Sequence, residues 1–252
     1  MAYWQKDSKI GAIESYNSHL PSVMDLTLQD ATNVVFNQND ASWDNGMIKI
    51  YENFTNDFLY PNPNNLLTFL ENHDTNRFNE IYKNDFKKYQ MGLALIATVR
   101  GIPQLYYGSE IGMAGNKDNG GDGQIRQDFP GGWVGDENNA FTDSGRTETQ
   151  KQFHDYTSKL FTWRKTNDAV HFGKMKHYIP EDNIYIYFRY TDEKSVMVVI
   201  NNNLEDKTIA LDRFQESILK HTSGKNIITG NQIDLKENLT IEAQTAVVLE
   251  LN

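Results

Sequence analysis

The sequence predicts an α/β layer that gives way to an all-β part. Three observations carry that prediction. Two short, near-continuous apolar runs, residues 66–70 and 102–107, read as strands covered on both faces. Longer segments before, between and after them repeat apolar residues at helical spacing. From Gly173 onward the texture changes to aromatic and β-branched runs broken by frequent turns, which points to an antiparallel sandwich.

Taken in order, residues 22–28 (Ser-Val-Met-Asp-Leu-Thr-Leu) read as a short strand. Residues 41–59 then place Trp43, Met47, Ile50, Tyr51, Phe54 and Phe58 close to one helical stripe. The run 66–70 follows as a strand. Residues 85–99 form a helix through Phe86, Tyr89, Met91, Leu93, Leu95 and Ile96, closed by the cation of Arg100 and by Gly101. Residues 102–107 are the next strand, and 147–166 an amphipathic helix carrying Phe153, Tyr156, Leu160, Phe161 and Trp163. Strand alternating with helix is the pattern of a parallel sheet with helical crossovers. A boundary falls near Phe172, dividing the chain into residues 1–172 and 173–252. In the second part, strands are expected at 183–190 and 195–200, joined by the turn 191–194, then at 208–211, 226–229, 239–241 and 246–251. No low-complexity linker separates the two parts, so they are expected to pack tightly.

Composition excludes several roles. With 252 residues, 38% hydrophobic and 12% aromatic, the chain has enough apolar material for a core. Its formal net charge is -10 at pH 7. No basic patch is available to attract phosphate, so neither nucleic acid nor an anionic membrane surface is an expected partner. There is no cysteine, which rules out a disulfide framework and a thiolate metal site and leaves localisation open. Residues 1–7 have no apolar stretch of signal-peptide length. No run approaches the roughly 20 apolar residues that span a bilayer, and a soluble chain is expected.

The chemistry concentrates where the two apolar runs end. The first closes on Glu71-Asn72-His73-Asp74-Thr75-Asn76-Arg77, the second on Tyr106-Tyr107-Gly108-Ser109-Glu110. Strand ends are where an α/β barrel places its active groups. Read from residue types alone, Asp74 or Thr75 caps a following helix, His73 is a core histidine and Arg77 a surface helix charge. The loop 115–126 is not a calcium loop of the EF-hand kind: in the register starting at Asp118, the third position is Gly120 and the twelfth Phe129. No Gly-x-Ser-x-Gly elbow and no phosphate-binding glycine pattern opens a helix.

Phe69-x-x-Asn72-His73-Asp74 and Gly101-x-Pro103-x-x-Tyr106-x-Gly108-x-Glu110 together resemble the seventh and eighth barrel strands of the α-amylase family of glycoside hydrolases. Asp122-x-x-x-Arg126 and Arg126-Gln127-Asp128-Phe129-Pro130-Gly131-Gly132-Trp133 resemble the neopullulanase and cyclomaltodextrinase members. The stretch 161–174 resembles the family's closing helix and its exit into a β-sandwich. The resemblance implies the C-terminal part of a (β/α)8 TIM barrel, about the last three βα units, followed by an antiparallel β-sandwich domain. Residues 22–28 would then be the sixth barrel strand.

The resemblance also assigns roles. Asp74 would hold vicinal hydroxyls of the sugar beside the scissile bond and stabilise the transition state, since a carboxylate accepts strongly as positive charge develops. His73 would donate to the same ring, Arg77 would lie at the edge of the site, and Asp122 with Arg126 would grip a neighbouring glucose. Trp133 either stacks on a pyranose face or packs inward. Glu110 would tie down its loop by hydrogen bonds. Retaining glycosidases use two carboxyl groups, a nucleophile and an acid/base, which the family draws from Gly-x-Arg-x-Asp on the fourth strand and Gly-Glu on the fifth; neither motif occurs here. The implied function is therefore the C-terminal portion of a retaining hydrolase of α-1,4 glucosidic bonds, with α-1,6 bonds left open, carrying the stabilising aspartate without nucleophile or acid/base. The implied partner is an α-glucan oligosaccharide. No cofactor is required by that chemistry; a structural calcium is an expectation for a longer parent only. Exposed barrel edges would favour self-association. The rival reading is a non-catalytic carbohydrate-binding or scaffold protein that kept the sugar-facing loops.

Overall fold

The structure is a computed structural model that describes residues 19–252. The expectations for residues 1–7 lie outside it. Three strands, β1 (Val23–Met24), β2 (Leu66–Phe69) and β3 (Ile102–Gln104), form a parallel sheet in that order. Val23 pairs with Leu66, and Leu67 with Ile102. Helices α1 (Leu26–Val35) and α2 (Ile48–Thr55) precede β2. The short α3 (Phe78–Ile81) and the long α4 (Phe86–Thr98) carry the chain from β2 to β3. After β3, a long irregular loop leads to α5 (Glu148–Arg164) and α6 (Asp168–His171).

The strand expected over 22–28 is corrected. Only Val23 and Met24 pair, because Asp25 turns the chain. Its Oδ1 accepts from the Leu28 N–H at 3.1 Å and the Thr27 hydroxyl at 3.0 Å, starting α1. The Leu-Thr-Leu alternation imitates a strand, but Leu28, Thr32 and Val35 bury one helical face. The helix expected over 41–59 shortens to α2, and Trp43 and Phe58 stay exposed at 94% and 66%. β3 stops at Gln104, where the chain turns toward Tyr106 and Tyr107.

Arg100, the cation expected to close the helix, follows the end of α4 and is buried there. It is 3% exposed and bridges Asp25 at 2.5 Å and Asp57 at 2.6 Å. Burial pulls its pKa down, and the two carboxylates more than reverse that, holding it charged. Gly101 follows with φ +105, and a Cβ there would stand 2.7 Å from the Leu66 carbonyl oxygen, so glycine is required where β3 enters beside β2.

The remainder is antiparallel. β4 (Lys174–His177), β5 (Ile184–Tyr190), β6 (Ser195–Asn201), β8 (Ser223–Asn226), β9 (Gln232–Asp234) and β11 (Thr245–Leu251) build a sheet of order β4-β5-β6-β11-β8-β9. β7 (Lys207–Ala210) pairs with β10 (Asn238–Ile241), and α7 (Gln215–Ile218) closes one side. β8 ends where the strand expected at 226–229 was to begin, and Asn226 accepts from Ile228 N and Thr229 N to make a turn. β4 and β9 were not anticipated.

Alternation along β5 and β6 builds two cores. Tyr185, Tyr187, Val196, Val198 and Ile200 face the α/β layer and join one cluster with Leu93, Leu95 and Leu160. Ile184, Ile186, Phe188, Met197 and Val199 face the second layer with Leu211, Phe214 and Leu239. No helix among the described residues is long and apolar enough to cross a membrane.

Candidate functional site

The loop after β2 is shaped by Asn72. Its Oδ1 accepts from the Asp74 and Thr75 N–H groups at 2.8 and 3.1 Å, while Thr75 Oγ1 accepts from Asn72 N at 3.0 Å. This local turn satisfies the backbone as the strand ends and throws His73 and Asp74 outward, their side chains 59% and 64% exposed. Neither caps a helix; Arg77 occupies the N-cap position of α3.

The loop after β3 comes back to meet them. Arg126 Nη2 lies 3.1 Å from Asp74 Oδ1 and 2.7 Å from Asp122 Oδ2, and its Nε donates to the His73 carbonyl at 2.8 Å. Lys117 donates to the Asp74 carbonyl at 3.1 Å and reaches Asp122 Oδ1 at 3.3 Å. His73 Nε2 is 3.3 Å from Asp74 Oδ2. Thus His73, Asp74, Asp122 and Arg126, drawn from two loops, form one solvent-facing cluster. With Lys117, two carboxylates and three nitrogen-bearing side chains meet there. Such a set accepts from and donates to adjacent hydroxyls of a polyol.

Arg77 does not belong to that surface. Its side chain is 1% exposed, so the expected place at the edge of the site, in contact with substrate, is corrected. Nη1 donates to Glu71 Oε1 at 3.0 Å and to the Tyr107 carbonyl at 2.6 Å, and Nε donates to the Ile125 carbonyl at 3.1 Å. The guanidinium lies 4.0 Å from the centre of the Tyr106 ring. Glu71 also accepts from Phe78 N–H and the Ser109 hydroxyl in short contacts. Burial pushes the Glu71 carboxyl up, and Arg77, Ser109 and Phe78 pull against it. The turn after β3 is therefore held through the Ser109 hydroxyl and the Tyr107 carbonyl, while Glu110 Oε2 is buried without a hydrogen-bond partner.

Sequence reasoning passed over Lys117, Glu71 and Ser109. Glu71 left a usable signal, since a carboxylate directly after an apolar strand needs a buried partner. Lys117 left none beyond its place in a charged loop. Trp133 is 68% exposed, which settles against inward packing. Among the described residues, no group of three or more His, Asp or Glu is arranged to hold a metal ion.

Comparison with known proteins identifies the fold. A family profile described as the alpha amylase catalytic domain matches residues 4–205. The chain belongs to the alpha-amylase family. A second profile, described as the cyclo-malto-dextrinase C-terminal domain, matches residues 175–250. The chain is 34% identical over 145 residues to an alpha-amylase of Niallia circulans, covering 58% of this chain and 24% of that protein. It is 30% identical over 149 residues to a cyclomaltodextrin glucanotransferase of Bacillus licheniformis, covering 59% of this chain and 18% of that protein. A crystal structure of alpha-amylase from Geobacillus thermoleovorans complexed with acarbose superposes with a TM-score of 0.73 at 22% identity, covering 92% of this chain and 48% of that one. A cyclomaltodextrin glucanotransferase with a three-domain ABC distribution superposes at 0.66 and 26% identity, covering 90% and 44%. The chain thus spans about a quarter or less of those two curated relatives and just under half of the solved structures. The fold is the closing part of the family's barrel followed by its β-rich C-terminal domain.

Proposed function

We propose that the cluster around Asp74 binds a glucose unit of an α-glucan oligosaccharide, and that the chain carries the transition-state-stabilising part of a retaining α-glucan hydrolase. One observation supports this above the rest: Asp74 and His73 from the end of β2 meet Asp122 and Arg126 from the loop after β3 in a single exposed set. Asp74 accepts from vicinal hydroxyls as the ring flattens, and Arg126 orients both carboxylates. The bonds such a hydrolase would act on are α-1,4 glucosidic linkages, with α-1,6 linkages left open. The nucleophile and the acid/base, about 5–5.5 Å apart in retaining enzymes, are not supplied by this sequence, so the 252-residue chain binds without appreciable turnover. Residues 1–172 act as the barrel part and 173–252 as a separate β domain in this reading.

Titration calorimetry with acarbose and maltotriose tests it. Binding is expected for the unaltered chain, with affinity falling about tenfold or more for Asp74→Asn and for Arg126→Ala, the loss typical of a charge-assisted hydrogen bond. No heat with either ligand removes the glucan assignment. Release of reducing sugar from maltooligosaccharides by the pure chain refutes the view that chemistry is missing. Binding without turnover also suits a purely carbohydrate-binding protein; an in-frame Gly-x-Arg-x-Asp and Gly-Glu in the DNA preceding Met1 decides for the hydrolase.

A further inference from the structure

We propose that Arg77 is the positioning residue of this site: its buried guanidinium locks the loop bearing Asp122 and Arg126 against the strand end bearing Asp74. The inference rests on the glucan-binding reading and deepens it by naming what sets the spacing of the groups.

Arg77 joins three segments that are distant in sequence. Its Nη1 reaches Glu71, two residues after β2, and the Tyr107 carbonyl after β3. Its Nε reaches the carbonyl of Ile125, the residue before Arg126, and its backbone N–H donates to the Gly115 carbonyl at 3.0 Å. The loop 115–126 is thus pinned at both ends by one residue. Ile125 is fully buried, and a Cβ on Gly115 would run into the Gln124 carbonyl, so the loop closes tightly on itself there. The Tyr106 and Tyr107 rings, 4.0 and 4.9 Å from the guanidinium carbon, leave it little freedom.

The alternative is that the surface cluster holds itself together. Apart from Lys117 N–H to Asn76 Oδ1 at 2.8 Å, its cross-loop links are the contacts of Arg126 and Lys117, side chains each 41% exposed. Exposed ion pairs contribute little against side-chain entropy and salt screening. A buried, multiply hydrogen-bonded guanidinium has no water to compete with and a fixed fork geometry that lysine cannot copy. The surface groups touch the sugar; Arg77 holds them where they can.

Hydrogen exchange and calorimetry on the full chain test this together. The Ile125 and Arg126 amides, both donating to the Asp122 carbonyl, report the loop. In Arg77→Lys, which keeps the charge beside Glu71 but cannot serve Ile125 and Tyr107 at once, their exchange should rise at least tenfold and acarbose affinity should fall about tenfold. Tyr89→Phe removes a different buried bond, Tyr89 to Thr157 at 2.8 Å, and should lower stability while leaving loop exchange and affinity unchanged. Arg77→Met should exceed Arg77→Lys in both readouts; if it does not fold, the lysine variant decides alone. Unchanged exchange at Ile125 and Arg126 in Arg77→Lys overturns the proposal, as does an equal rise in Tyr89→Phe. Failure of the unaltered chain to bind acarbose strikes the glucan reading instead, and the exchange comparison still judges the lock.

Discussion

Arg77 and Arg100 are buried alike, 0% and 3% exposed, yet they sit before and after opposite ends of the sheet and answer to different carboxylates. Arg77 serves the strand ends that carry His73 and Asp74. Arg100, just before β3, ties α1 through Asp25 and the turn before β2 through Asp57. Removing one partner from such an ion pair leaves the other charges buried without compensation. Arg100→Met should therefore cost about 3–5 kcal/mol of unfolding free energy, read from chemical denaturation. A loss below 1 kcal/mol would show that water reaches Asp25 and Asp57. Asp74 and Arg126 differ from both: they are half exposed, and their substitution should change ligand affinity far more than stability.

Helix α5 shows how local signals and tertiary packing divide the work within an element. Thr147 and Gln150 form a capping box: Thr147 Oγ1 accepts from Gln150 N at 3.2 Å, and Gln150 Oε1 accepts from Thr147 N at 2.9 Å. Phe153, Tyr156, Thr157 and Leu160 bury one face, with Phe153 and Tyr156 against the aromatic side chains of α4 and its entry. Thr147→Ala should cost about 1 kcal/mol, seen in thermal or chemical unfolding. The end of α4 depends instead on the β domain. The Thr98 and Tyr187 hydroxyls lie 2.6 Å apart, and Arg189 donates to the Thr98 and Gly173 carbonyls. Burial lowers the pKa of that cation to about 10, so these carbonyl contacts across the two layers come with a desolvation cost.

Across the whole molecule, His177 stands at the joint between those layers. Its ring lies 4.7 Å from that of Tyr51 on α2, and Nδ1 is 2.9 Å from the Tyr185 hydroxyl. Burial lowers its pKa below the ordinary value of about 6.5. The unfolded chain then takes up the proton first, so stability is full above about pH 6.5 and is lost as pH falls toward the folded-state value. Melting temperature should drop between pH 7 and 5 in the unaltered chain and less steeply in His177→Gln; parallel curves would acquit His177. Self-association belongs to the same scale. Of the two edges of the parallel sheet among the described residues, β1 holds only Val23–Met24, and β3, with Ile102 48% exposed, is the longer. Light scattering well above micromolar concentration should show a species heavier than 29.0 kDa; a clean monomer ends that proposal.

The sequence alone determined the layers and named the side chains that two loops bring together. Periodicity states which faces must be covered, and β5, β6, α4 and α5 have long, regular patterns that leave little choice. The run Asn72-His73-Asp74 and the pair Asp122 and Arg126 state which groups are present. Only the tertiary structure decided what each charge faces. Asp25 looked like one residue of a strand and became a helix cap and a partner of Arg100, 75 positions away. Arg77 looked like a surface residue and became the buried tie beneath one. Charge–partner choice is set by contacts between segments far apart in the chain, where local pattern carries no information, and burial then fixes the role because an unpaired ion in the interior costs more than any local propensity returns.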